Sequence, residues 1–99
     1  MDHILVIDDS RTQAEYLKSI LKSDYEVSTC QTGREGLSMA QSGRFSLILL
    51  DIIMPDMDGF TLLRTLQENF PTRYIPVILI SGLSDVQHEE KGLTLGAVD

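Results

Sequence analysis

The sequence predicts an α/β domain built on a parallel sheet, and three observations predict it. Four short apolar or β-branched runs recur along the chain, stretches with helical spacing separate them, and hydroxyl or carboxylate residues stand where runs give way to helices. The first run, His3–Asp8, holds ILVI, the unbroken apolarity of a parallel strand covered on both faces. Ser10 with Gln13 three residues later fits a capping box, and Ala14, Leu17 and Leu21 then share one helical face. The second run, Tyr25–Cys30, reads YEVSTC; its alternation predicts an edge strand. Thr32 and Glu35 repeat the capping pattern before a second helix. The third run, Phe45–Leu50, contains LILL and stops on Asp51. Asp58 is placed to cap a helix whose apolar face is Leu62, Leu63, Leu66 and Phe70. The fourth run, Tyr74–Ile80, contains VILI, and Ser84–Gln87 supplies another capping pair before a last, weakly amphipathic helix. Short links between β and α units require right-handed crossovers, which put helices on both faces of the sheet.

Composition narrows the function. The 99 residues fit one domain spanning 1–99. No apolar run approaches the roughly 18 residues of a membrane span, and MDHILVIDDS lacks the basic start of a signal peptide, so a cytoplasmic, reducing setting is expected. Cys30 is the single cysteine, which excludes an internal disulfide or a cysteine-based zinc site. Eight basic against fifteen acidic residues, a net charge of -7, argue against direct nucleic-acid binding.

The informative question is where the acids meet. In open parallel sheets, ligands bind beyond the carboxyl ends of the strands. There the first strand carries Asp8 and Asp9, the third Asp51, and the fourth Ser81 and Gly82. Each alone reads as an ordinary helix cap, but Asp51 abuts core residues, where an uncompensated charge costs several kcal/mol. Carboxylates crowded at neighbouring strand ends repel one another unless a cation joins them. A hard, oxygen-seeking ion such as Mg²⁺ suits such a cluster, and neither His3 nor His88 sits where a softer metal would need it.

These residues resemble the receiver domain of two-component response regulators. The likeness runs the length of the chain through ILVIDDS, LILLDIIMPDMDG, IPVILISG and GLTLGAVD, and the middle stretch, an acid followed by Met-Pro and then Gly, is the most specific. It implies a doubly wound, flavodoxin-like sheet of strand order 2-1-3-4. The fifth strand and helix of such domains, with their Lys-Pro pair and aromatic switch residue, have no counterpart here, so the resemblance is to a receiver truncated before the fifth strand. No lysine, Lys91 included, takes the family's phosphoryl-contacting role. The uncharged edge of PVILI then expects a neighbour, a second copy in a homodimer or a swapped segment.

By the same resemblance Asp51 is the phosphoacceptor. Asp9 and Asp51 would ligate Mg²⁺ (or Mn²⁺) directly, Asp8 through water, and the backbone carbonyl of Ile53 would complete the protein's share. The Ser81 hydroxyl would hydrogen-bond the phosphoryl group. The domain would catalyse its own metal-dependent phosphorylation and dephosphorylation, with a sensor histidine kinase or histidine phosphotransfer protein as partner and an output domain in a longer chain. Phosphorylation would favour a conformation in which the loop after strand four and the fourth helix are repositioned. Three rivals stand beside this reading. A nucleotide or flavin domain needs glycines where IDDSRTQAE offers acids. An aspartate-based phosphatase needs an acid-x-acid pattern that neither Asp8-Asp9 nor Asp51-Ile-Ile supplies. The serious rival is a receiver-like interaction module that no longer accepts phosphate: retention of Asp8, Asp9, Asp51 and Ser81 disfavours it, and the lack of the family lysine favours it.

Overall fold

In the computed structural model, residues 2–52, 54 and 57–80 are described. They alternate strand and helix as β1 His3–Ile7, α1 Arg11–Leu21, β2 Glu26–Cys30, α2 Gly33–Ser42, β3 Leu47–Asp51, α3 Gly59–Glu68 and β4 Val77–Ile80. The four strands form one sheet of order β2-β1-β3-β4 in which every pairing is parallel. The chain therefore starts at the middle of the sheet, winds outward to β2, then returns past β1 to β3 and β4.

Side-chain alternation explains why the apolar runs are unbroken. Leu5, Ile7, Ile48, Leu50, Val77 and Leu79 point to one face, where Ala40 of α2 and Leu62, Leu63 and Leu66 of α3 cover them. Ile4, Val6, Val27 and Leu49 point to the other, against Ala14, Leu17 and Leu21 of α1. Burying both faces of β1 and β3 uses every residue of ILVI and LILL. β2 lies at an edge, as predicted, but its burial does not alternate: Val27 is buried on one face and Cys30 on the other. In β4, Val77 and Leu79 are buried while Ile78 and Ile80 are half-buried.

The caps work as their residue types require. The Ser10 hydroxyl accepts from the Gln13 N–H at 3.1 Å, that of Thr32 from the Glu35 N–H at 3.1 Å, and an Asp58 carboxylate oxygen from the Phe60 N–H at 3.2 Å. Ser84–Gln87 and the helix expected to follow it lie outside the described residues.

The strands are shorter than their apolar runs: Tyr25, Phe45 and Tyr74–Pro76 precede the ladders that they were expected to join, and Asp8 follows β1. The larger correction is Phe70. It was placed on the buried face of α3 but is 76% exposed. The helix stops at Glu68, because Asn69 is extended and the residue before Pro71 is biased away from helical torsions. The chain turns there, and the buried Thr72 hydroxyl donates to the Leu66 carbonyl at 2.6 Å, satisfying an orphan carbonyl of the last turn.

Candidate phosphoacceptor site

The strand register builds the site. Ile7 lies opposite both Cys30 and Leu50, so the residues that follow, Asp8 and Asp51, leave adjacent strands at the same level. The Asp8 N–H extends the ladder by one bond to the Cys30 carbonyl at 3.1 Å. β3 runs one residue further than β1, with Asp51 opposite Ile80 and the Ile52 N–H bonded to the Ile80 carbonyl at 2.9 Å. Ile52 and Met54 are then buried in the core beneath α2 and α3. Ile52 and Met54 thus draw the chain after Asp51 inward and tie the acid to the sheet.

Asp8, Asp9 and Asp51 each offer a carboxylate oxygen within 4.8 Å of the others. Their surroundings differ. Asp8 is 1% exposed and Asp51 6%, whereas Asp9 is exposed. One oxygen of Asp8 accepts the Ser10 N–H at 2.9 Å. Its other oxygen, Oδ2, is buried without a hydrogen-bond partner among the described residues. Burial raises the Asp8 pKa above the ordinary carboxylate value, the Ser10 N–H opposes that, the charge of Asp9 adds to it, and hydrogen bonding with the Asp51 side chain opposes it in part. A buried, unpartnered oxygen beside two further carboxylates is an unfavourable arrangement for the protein alone. It suits a small oxygen-coordinated cation, which would satisfy Oδ2 and cancel the mutual repulsion. Among the described residues this is the one group of His, Cys, Asp and Glu side chains with metal-binding spacing.

Three of the five residues singled out from sequence are therefore brought together. Ile53 and Ser81, the other two, lie outside the described residues. Lys18, in the last turn of α1, and Lys22, its C-cap, belong to the helix end remote from the acids. Sequence reasoning did not separate buried Asp8 from exposed Asp9, because adjacent acids after a strand differ only in which way the turn aims them. It quoted Gly59 as the glycine of the motif but gave it no role; its N–H donates to the Ile52 carbonyl at 2.8 Å and seats α3 directly on the backbone behind Asp51.

A parallel sheet of order 2-1-3-4 with an acidic cluster beyond the carboxyl ends of β1 and β3 defines a CheY-like α/β domain. The model of the response regulator receiver domain matches residues 4–99, and the chain belongs to that family, the receiver domain of two-component signalling. It is 43% identical over 97 residues to the response regulator PleD of Caulobacter vibrioides, covering 97% of this chain and 21% of PleD. It is 33% identical over 97 residues to the transcriptional regulatory protein CusR of Escherichia coli, covering 97% of this chain and 42% of CusR. The chain thus spans a minor part of these relatives. Among solved structures, the signal receiver domain of a signal transduction histidine kinase from Syntrophus aciditrophicus is similar at 41% identity and TM-score 0.83, over all of this chain and 76% of that one. The chemotaxis protein CheY4 of Vibrio cholerae is similar at 28% identity and TM-score 0.83, over 99% and 82%.

Proposed function

We propose that residues 1–99 act as one phosphoacceptor switch, with Asp51 as the residue that carries the phosphoryl group. The observation that supports this best is the meeting of Asp8, Asp9 and Asp51 within 4.8 Å, with Asp8 Oδ2 buried and unpartnered. In this reading an Asp51 carboxylate oxygen attacks the phosphorus of a phosphohistidine on a sensor kinase or phosphotransfer protein. The P–N bond breaks, the imidazole leaves with the electron pair, and an acyl phosphate forms on Asp51. Water attack on phosphorus later returns the carboxylate and inorganic phosphate. Asp9, Asp51 and the Ile53 carbonyl would hold Mg²⁺ or Mn²⁺ directly and Asp8 largely through water, and the ion would neutralise charge developing on the transferring oxygens. The Ser81 hydroxyl donates to the bound phosphoryl group and draws the loop after β4 toward it. The conformational change then acts on an output domain in a longer chain or on a separate partner, which accords with the greater length of PleD and CusR.

The test is direct. Incubated with acetyl phosphate and Mg²⁺, the protein should gain one phosphoryl group by intact-mass spectrometry. The gain should vanish with EDTA and with Asp51→Asn. No incorporation in a folded protein that also fails to bind Mg²⁺ would leave the phosphate-independent interaction module as the function.

A further inference from the structure

Glycine is, after proline, the poorest helix former, yet Gly59 is the first residue of α3. Its backbone is not in the left-handed region, so torsion angles do not call for glycine. Space does. A Cβ at position 59 would lie 2.6 Å from the Asp51 carbonyl oxygen, 2.6 Å from Ile52 Cα and 2.8 Å from the Ile52 carbonyl oxygen. All three are backbone atoms, so no side-chain rotation can relieve the overlap, which falls roughly 0.8 Å short of ordinary van der Waals contact. Gly36 and Gly43 also sit in tight places, but there the nearest atoms belong to the Ile7 and Phe45 side chains, which can turn aside. Both partners at position 59 are anchored: Asp51 and Ile52 by the ladder to β4, and α3 by buried Leu62, Leu63 and Leu66.

We infer that Gly59 is a positioning residue for Asp51: its missing side chain lets α3 seat on the Asp51–Ile52 backbone and so sets where the Asp51 carboxylate points. This rests on the reading of Asp51 as a metal ligand and phosphoacceptor. A methyl group at position 59 drives the β3 terminus and α3 apart, and a shift of about 1 Å in a reacting group is enough to cost on the order of 100-fold in rate.

The experiment compares Gly59→Ala with Leu66→Ala, which opens a cavity in the same core about two turns further along α3 and leaves the backbone contact at position 59 unchanged. Mg²⁺ affinity is read from the metal-induced rise in urea midpoint, and phosphoryl uptake from acetyl phosphate is followed in parallel. Gly59→Ala should weaken Mg²⁺ binding at least 10-fold and slow uptake about 100-fold, whereas Leu66→Ala should lower stability and keep the wild-type Mg²⁺ affinity. A Gly59→Ala protein with wild-type affinity and uptake overturns the inference, as does an equal loss of affinity in Leu66→Ala. If Gly59→Ala lacks a native baseline, the same titration in trimethylamine oxide, which favours burial, restores one. Failure of the wild-type protein to bind Mg²⁺ would instead overturn the proposed function.

Discussion

The two ends of the sheet handle charge in opposite ways. At the amino end, polar groups are matched. His3 Nε2 lies 2.7 Å from the Ser28 hydroxyl, Nδ1 lies 3.5 Å from a Glu26 carboxylate oxygen, and the ring packs 4.4 Å from that of Phe45. Beside them the Ser46 hydroxyl donates to Asp2 at 3.3 Å. At the carboxyl end, three acids crowd together and one buried oxygen goes without a partner among the described residues. The contrast teaches where this fold places stability and where it stores the capacity to bind. A satisfied polar end needs nothing further, whereas a frustrated one gains by taking up a cation, which is the physical signature expected of a functional end.

The largest expected effect breaks the carboxyl end outright: Asp51→Asn should reduce phosphoryl uptake at least about 1,000-fold, because an amide is a far weaker nucleophile than a carboxylate. Phosphoryl content by intact mass gives the result directly. Next in size is the core shared by both ends. Leu66→Ala should cost about 2–5 kcal/mol in urea unfolding, a loss that Mg²⁺ offsets without abolishing.

Asp8→Asn should act with the opposite sign, stabilising the metal-free protein by about 1–3 kcal/mol near neutral pH. It removes a buried charge and supplies a donor toward Asp51. The pH dependence follows from the raised pKa of Asp8. The native state holds this proton more tightly than the unfolded chain, so the contribution of Asp8 to stability is complete below the ordinary value of 3.8 and is lost as pH rises through the raised value. The advantage of Asp8→Asn should therefore be absent at acid pH, grow as pH rises above 3.8, and disappear when Mg²⁺ saturates the wild-type protein. An advantage independent of pH and metal would mean that Asp8 is not a strained charge.

The smallest effect belongs to the amino end. Glu26→Gln alters a surface contact 3.5 Å from His3 and should change stability by less than about 1 kcal/mol, with no response to Mg²⁺. A shift as large as that of Asp8→Asn would erase the distinction between the two ends.

Much of this was legible in the residues themselves. ILVI and LILL read as interior parallel strands, and β1 and β3 are; VILI reads the same way, although β4 is the outer strand of the described sheet. Ser10, Thr32 and Asp58 could be read as caps because each carries an acceptor oxygen at a strand-to-helix joint. Phe70 misled because it continues the apolar spacing of Leu62, Leu63 and Leu66, while Pro71, the stop signal, follows it by one residue. The unequal burial of Asp8 and Asp9 was not legible at all, since it depends on a turn held by the Ser10 N–H.

What the sequence by itself determined is local: which segments extend, which coil, where each helix begins, and that acids stand at the ends of strands. Those properties follow from side-chain periodicity and capping, which act over a few residues. Tertiary structure alone decided that Asp8 and Asp51 leave adjacent strands at one level, that Asp8 Oδ2 is sealed from water, and that α3 rests on the backbone behind Asp51. These are matters of register between Asp8 and Asp51, some forty residues apart, and of close approach between α3 and the end of β3, and packing in three dimensions settles them.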